Sequence, residues 1–393
     1  MILAVGVVAV LILVVAGSVW SLVNGLNGRL TRADVISSSS WSLAGDQNIL
    51  MVGLDTRTDA QGQPLPPAVL DALHAGGASD GGDTDTMIVV HLPAGGGQAT
   101  GFSIPRDSYV DIPGYGKHKI NSAYTYGQNT ARTMLARQGL SGPALAVQSA
   151  AAGARTAIAT VAQLTGLRID HYAAVNLAGF YDISQAVGGV PVCLAAPVDD
   201  SFSGAHFPAG PQTVQGAAAL AFVRQRHGLP RGDLDRERRQ QEFVSSMAHT
   251  VLSSGTLTSP STLTTLIDAV SHAMVVDQGF DLLDLTTAIP GLTGGSLGFQ
   301  TIPIVSASVD TPDDGQAVQV DPAQVQTFLH TAIDPPTTTP PPSGTSGAGP
   351  SGSGAPPGGT SSAPSTASPG SAATTTASTP APTAPTSPVA YIN

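Results

Sequence analysis

Residues 2–23, ILAVGVVAVLILVVAGSVWSLV, hold no charged side chain, and the first charge in the chain is Arg29. About 20 apolar residues in a helix cross the roughly 30 Å hydrocarbon core of a bilayer. The run therefore predicts a membrane span, with Trp20 where an interfacial aromatic anchors the outer end. Ala16-Gly17-Ser18 offers a small-residue cleavage pattern, but the run exceeds the about 7–15 residues of a signal-peptide core. Residues 1–24 are thus expected to be an uncleaved anchor and 25–45 a linker; under either reading the remainder is exported. No Lys or Arg precedes the span, whereas Arg29 and Arg32 follow it. That reverses the positive-inside pattern and points to a basic cytoplasmic segment ahead of Met1.

The other end is equally restrictive. From Pro335 to Pro388 the chain is built from Pro, Ser, Thr, Gly and Ala, and it ends in VAYIN, without one charged residue. Such a segment has too little apolar surface to offset the entropy of ordering it, so residues 334–393 are expected to form an extended, disordered extracellular tail. Folding is confined to residues 46–333. There, NILMVGL (48–54), TMIVVHL (86–92), ATGFSIP (99–105), HYAAVNL (171–177) and GFQTIPIV (298–305) read as buried strands. Helical patterns fall at 143–165, 177–187, 213–222, 234–253, 260–274, 280–289 and 322–332, and residues 59–82 read as a long surface insertion. The expectation is an α/β fold, a mixed central sheet with helices on both faces.

Charge is scarce and unevenly placed. The net charge is −11, yet six of the 16 basic residues, Arg224, Arg226, Arg231, Arg236, Arg238 and Arg239, lie within residues 224–239, and none follows Arg239. The molecule as a whole will not adhere to nucleic acid through its net field, so any anion site is local. Arginine offers planar paired donors suited to phosphate. An extended Arg224-Gln225-Arg226 after a helix ending at Phe222 would point both side chains to one face. Asp233 reads as the N-cap of a helix starting at Leu234, with Arg236, Arg239 and Gln240 on one side of its first turns. A solvated charged helix is the plain alternative. Asp55 ends the first strand and Asp85 precedes the second; carboxylates at neighbouring strand ends, completed by waters and phosphates, are a usual Mg²⁺ arrangement, although each Asp alone reads as a turn residue. Arg106 sits at the tip of the third strand.

These motifs, taken in order, resemble the LytR-CpsA-Psr family of extracytoplasmic enzymes. The match runs over about residues 46–333. It includes Asn48 to Asp55, Asp85-Thr86-Met87, Ser103-Ile104-Pro105-Arg106-Asp107-Ser108, Lys119-Ile120-Asn121-Ser122-Ala123-Tyr124 and His171-Tyr172 with Val175-Asn176. Gly179-Phe180, Val187-Gly188-Gly189-Val190, Arg224-x-Arg226 and Asp233-x-x-Arg236-x-x-Arg239-Gln240-Gln241 complete it. The resemblance implies an α/β/α sandwich with an apolar tunnel for a polyprenyl chain and an arginine-rich mouth for its pyrophosphate. It implies a single-pass membrane protein whose extracytoplasmic domain transfers a glycopolymer with one phosphate, arabinogalactan- or teichoic-acid-like, from the lipid carrier to peptidoglycan. Asp55 and Asp85 would then hold Mg²⁺ or Mn²⁺, and Arg106, Arg224, Arg226, Arg236, Arg239 and Gln240 would meet the pyrophosphate. Asp233 would orient those arginines or assist the acceptor hydroxyl. Many members carry Arg two residues before Asp-Thr-Met, where this chain has Asp83; Arg57 is the candidate substitute. A polyprenyl-phosphate binder with weak or no transferase activity is the alternative reading.

Other candidates read as structural. Cys193, the one cysteine, lies among apolar neighbours without a nearby base and reads as a buried thiol, and one cysteine forms no internal disulfide framework. His91 and His171 fall on strands as core or rim residues. Asp80 to Asp85 lacks EF-hand spacing. Gly95-Gly96-Gly97 reads as a hairpin turn, without the Lys-Ser/Thr of a phosphate loop.

Overall fold

The computed structural model describes residues 28–36, 45–72, 82–94, 97–230, 232–253, 260–281, 298–334 and 391–392. The anchor at 1–24, most of the tail, the glycine turn at 95–96 and the bulk of the helix expected at 280–289 lie outside the described residues. Among the described residues no helix is long and apolar enough to cross a membrane.

In chain order the elements are β1 (Thr31–Ala33), β2 (Gln47–Leu54), α1 (Pro67–Ala72), β3 (Thr84–Leu92), β4 (Thr100–Ser103), β5 (Ser108–Ile112), β6 (Gly116–Lys119), α2 (Ser122–Arg137) and α3 (Gly142–Thr165). They continue with β7 (His171–Asn176), α4 (Leu177–Ala186), β8 (Val190–Leu194), β9 (Val198–Asp200), β10 (Ala205–Phe207), β11 (Gly210–Val214), α5 (Gly216–Arg224) and α6 (Asp233–Ser253). Last come α7 (Pro260–Ala273), β12 (Met274–Asp277), β13 (Gly298–Thr301), β14 (Ser306–Thr311), β15 (Gly315–Gln319), α8 (Pro322–Ile333) and β16 (Tyr391–Ile392).

A seven-stranded mixed sheet, ordered β1-β12-β7-β2-β3-β4-β13, forms the centre. Its middle strands are apolar at nearly every position because both faces are covered. Along β2 and β3, Leu50, Val52, Met87 and Val89 enter a core shared with Tyr124, Ala157, Val161 and Leu329 of α2, α3 and α8. The alternating residues Ile49, Ile88 and Val90 join Ala173 and Val276 on the opposite face. A third cluster, built on Val190, Val192, Leu220, Phe222 and Phe243, ties α5 and α6 to the β8–β11 pair. A separate four-stranded sheet, β14-β15-β5-β6, flanks the tips of β3 and β4.

All five expected strands form, the last shortened to Gly298–Thr301. The helix expected at 213–222 starts instead at Gly216, because residues 210–214 pair with β8 as a strand and Gly216 (φ +58°) turns the chain in the left-handed region. The stretch 59–82, expected as an insertion, carries α1 and a bridge between Thr58 and Pro64. Helix α2 was not among the expected elements: its mixed sequence SAYTYGQNTARTMLAR lacks a sustained apolar stripe, and packing on α3 through Gly127 and Gly153 holds it. A side chain at Gly127 would bring its Cβ 2.2 Å from Thr156 Oγ1.

Candidate functional site

The two carboxylates meet through an irregularity in the β2–β3 ladder. Gly53 pairs with Thr86 but Leu54 pairs with Thr84, so Asp85 is the extra residue of a bulge. A bulge re-aims the side chain it carries; Asp85 therefore lies inside the strand rather than ahead of it. Asp55 follows the end of β2, its N–H donating to Asp83 O at 3.2 Å. Burial, then the neighbouring Asp85, raise the Asp55 pKa above its ordinary value, partly countered by Arg224 and Arg57. Asp55 Oδ1 is buried without a hydrogen-bond partner. An orphaned carboxylate oxygen beside a second carboxylate fits a hard divalent cation with oxygen ligands. Among the described residues no group of three or more His, Cys, Asp and Glu side chains surrounds a metal position, so the remaining ligands would be water or substrate oxygens.

Two clefts converge here. One, of about 970 Å³ counted to its open mouth, runs between the sheet face at Met51, Gly53 and Ala173 and the helices α4, α5 and α6, with Phe180, Ile183 and Met247 among its apolar walls. Asp55, Asp85, Arg224 and Gln240 stand at its polar end. The other, of about 1150 Å³, lies between the loop of Arg106 and Asp107, helix α6 at Arg236 and Glu237, and the β14–β15 hairpin at Ser308 and Gln316. Asp85, Thr86 and Gln240 line both. They form a sill: Thr86 Oγ1 donates to Gln240 Oε1 at 2.9 Å, and Gln240 Nε2 donates to Val223 O at 3.3 Å. Arg106 pairs with Asp85 through Nη1 and approaches Asp107 Oδ2 at 3.7 Å.

The predicted residues divide accordingly. Asp55, Asp85, Arg106, Arg224, Arg236 and Gln240 line the clefts. Arg239 does not; only 2% exposed, it donates to Gln225 Oε1, and its guanidinium lies 5.4 Å from the Phe222 ring centroid. It buttresses α6 against the end of α5. The extended Arg224-Gln225-Arg226 also needs correction: α5 continues through Arg224, Gln225 N–H bonding Ala221 O, and the chain leaves helical geometry at Gln225 (φ −57°, ψ 131°). Arg226 is exposed beyond it. Asp233 is the first residue of α6 rather than the residue before it. Arg57 lines a different cavity, with Gln128 and Arg132 of α2, although its charge reaches Asp55. Asp83 is exposed and accepts from Thr125 Oγ1 at 2.8 Å.

Sequence reasoning missed Asp200. It is 2% exposed and accepts from Ser203 Oγ at 2.8 Å and Phe202 N–H at 3.0 Å. Burial opposes its charge, but these bonds, one from the Arg226 N–H and the nearby His227 leave its pKa below the ordinary value. It thus fixes the backbone of the arginine segment. An Asp at the end of a three-residue strand carries no such signal. Cys193 is buried, and His91 and His171 are core residues, bonded at 2.9 Å to Asn48 and Asp277 respectively.

Residues 26–331 match the LytR_cpsA_psr family model. The cell wall biosynthesis protein LcpA of Corynebacterium glutamicum is 41% identical over 83% of this chain and 64% of its own length. The polyisoprenyl-teichoic acid–peptidoglycan teichoic acid transferase TagU of Enterococcus faecalis is 29% identical over 70% of this chain and 78% of its own. The chain thus spans just under two thirds of the LcpA sequence. Among solved structures, TagV of B. subtilis superposes with a TM-score of 0.52 at 20% identity, covering 74% of this chain and 98% of that one, a likeness of fold.

Proposed function

Because the chain belongs to the LytR-CpsA-Psr family, we propose that it transfers a glycopolymer with one phosphate from a polyprenyl-pyrophosphate carrier to a peptidoglycan hydroxyl. The observation that carries this reading is the sill of Asp85, Thr86 and Gln240, shared by an apolar cleft and a polar one. A carrier lipid has the same two halves: a hydrocarbon chain suited to the walls of Phe180, Ile183 and Met247, and a pyrophosphate joined to sugar. The phosphates come to rest at the sill, within reach of Arg106, Arg224, Arg236 and Gln240.

Phosphoryl transfer asks for in-line positioning and charge neutralisation rather than a protein nucleophile. Arg224, at the mouth of the apolar cleft, is placed to neutralise the departing lipid phosphate; Arg106 and Arg236, in the polar cleft, hold the phosphate that stays with the glycan. Arg226, exposed just beyond Arg224 and held through its backbone by Asp200, would meet the outer pyrophosphate oxygens. Asp55 and Asp85 would hold Mg²⁺ or Mn²⁺, which supplies further charge neutralisation on phosphate oxygens. The chain works outside the membrane, tethered through its N-terminal apolar run, with the carrier lipid reached from the bilayer and the acceptor from the wall. Nucleic acid is not among its partners.

The test is release of polyprenyl phosphate from a short polyprenyl-pyrophosphate glycan by the purified chain with peptidoglycan fragments and Mg²⁺. Acceptor-dependent release that both Arg224→Ala and Asp85→Ala abolish supports the reading. Lipid binding without release for any acceptor would replace it with a lipid-binding role, and Asp83→Arg, which supplies the charge the resemblance leads one to expect there, is then the variant to compare.

A further inference from the structure

Beside the polar cleft the small sheet carries a feature that the transfer chemistry above does not use. The turn Ile112-Pro113-Gly114-Tyr115 closes with Tyr115 N–H on Ile112 O at 2.9 Å. Gly114 (φ +85°) and Gly116 (φ +88°) flank the tyrosine, and a Cβ at either would meet nothing within 4 Å. The surface on both sides of Tyr115 is therefore bare. Its ring stacks on Tyr126 of α2, with centroids 5.3 Å apart and planes 23° from parallel. His118 lies against the same Tyr126, centroids 4.8 Å apart, and its Nδ1 is 3.2 Å from the Tyr126 hydroxyl and 3.0 Å from Asp314 Oδ2. The only two lysines of the chain, Lys117 and Lys119, are on this strand.

The strand that carries His118 reaches the site. Lys119 Nζ lies 3.4 Å from Asp107 Oδ1, and Asp107 lines the polar cleft. On the other side, the charge of Asp83 acts on both Tyr126 and Asp55. A half-buried aromatic pair beside hydroxyl, imidazole and carboxylate groups matches a sugar chain, which presents apolar C–H faces and hydroxyl edges. In-line transfer puts the attacking hydroxyl opposite the departing lipid phosphate, and through Asp314 this surface adjoins the β14–β15 hairpin, which lines the polar cleft and not the apolar one.

We propose that Tyr115, Tyr126 and His118 form a platform on which the glycan strand of the acceptor is laid before transfer. The proposal rests on the transferase reading, and its test separates the two. The full chain in detergent is titrated with a peptidoglycan-derived tetrasaccharide and, separately, with octaprenyl pyrophosphate. Tyr115→Ala is expected to weaken tetrasaccharide binding at least tenfold while lipid affinity stays within twofold; Tyr115→Trp, which keeps a stacking face, retains both. Equal tetrasaccharide affinity in Tyr115→Ala, parallel loss of both affinities, or no binding of the tetrasaccharide by the parent chain overturns the platform. The lipid titration of the parent chain reports on the transfer site itself: loss there, not on the platform, undermines the transferase reading.

Discussion

Asp55 shows how a site residue can be costly to its own fold. Buried beside Asp85, it binds its proton more tightly in the folded chain than in the unfolded one. Stability therefore falls as pH climbs from the ordinary carboxylate value towards the raised one. Asp55→Asn should raise the neutral-pH melting midpoint by about 2 °C while abolishing polyprenyl phosphate release; calorimetry beside the release assay checks both. Millimolar Mg²⁺ should raise the midpoint of the parent chain and leave Asp55→Asn unmoved. At this scale the sequence was informative about identity and silent about aim. Asp55, Asp85, Arg106, Arg224, Arg236 and Gln240 were legible as types at strand and helix ends, and all six reach the clefts. Arg239 was legible too, yet it faces Phe222, because which side of a helix meets solvent depends on what packs against it.

The element that matters most is the joint between α5 and α6. Arg239 and Gln225 close it from within, and Asp200 holds the Arg226 backbone from β9. Arg239→Ala strands a buried Gln225 oxygen and opens a cavity, so the domain should lose about 3 kcal/mol, read by denaturant unfolding, whereas exposed Arg226→Ala should leave stability unchanged. Asp200→Ala should slow polyprenyl phosphate release about tenfold with Arg224 and Arg226 intact, since it frees the segment that carries them. The stabilising charge on Asp200 is present above the ordinary carboxylate range and is lost as pH falls through its lowered pKa. None of this was readable beforehand: the joint is made by residues 14 positions apart or more, and α2 was missed because its stability comes from contact with α3 rather than from its own pattern.

Across the whole domain, the alternation of β2 and β3 between two cores made the layered sheet legible, since continuous apolar strands flanked by helices have few other solutions. The clefts were implied by the family resemblance but not legible in the residue pattern itself, because each is bounded by elements far apart in sequence. Ile183→Trp, which fills the apolar cleft, should weaken octaprenyl phosphate binding more than tenfold without altering tetrasaccharide affinity. The shared sill has a thermodynamic consequence for the proposed transfer. The bond cut there is the one joining oil to water, so its two products part into different phases, one into the bilayer and one into the wall. Neither fragment need diffuse through the other's medium, and a reverse reaction would have to bring both back to a strip three residues wide. Location thus adds to the fall from phosphoanhydride to phosphodiester in giving the transfer its direction.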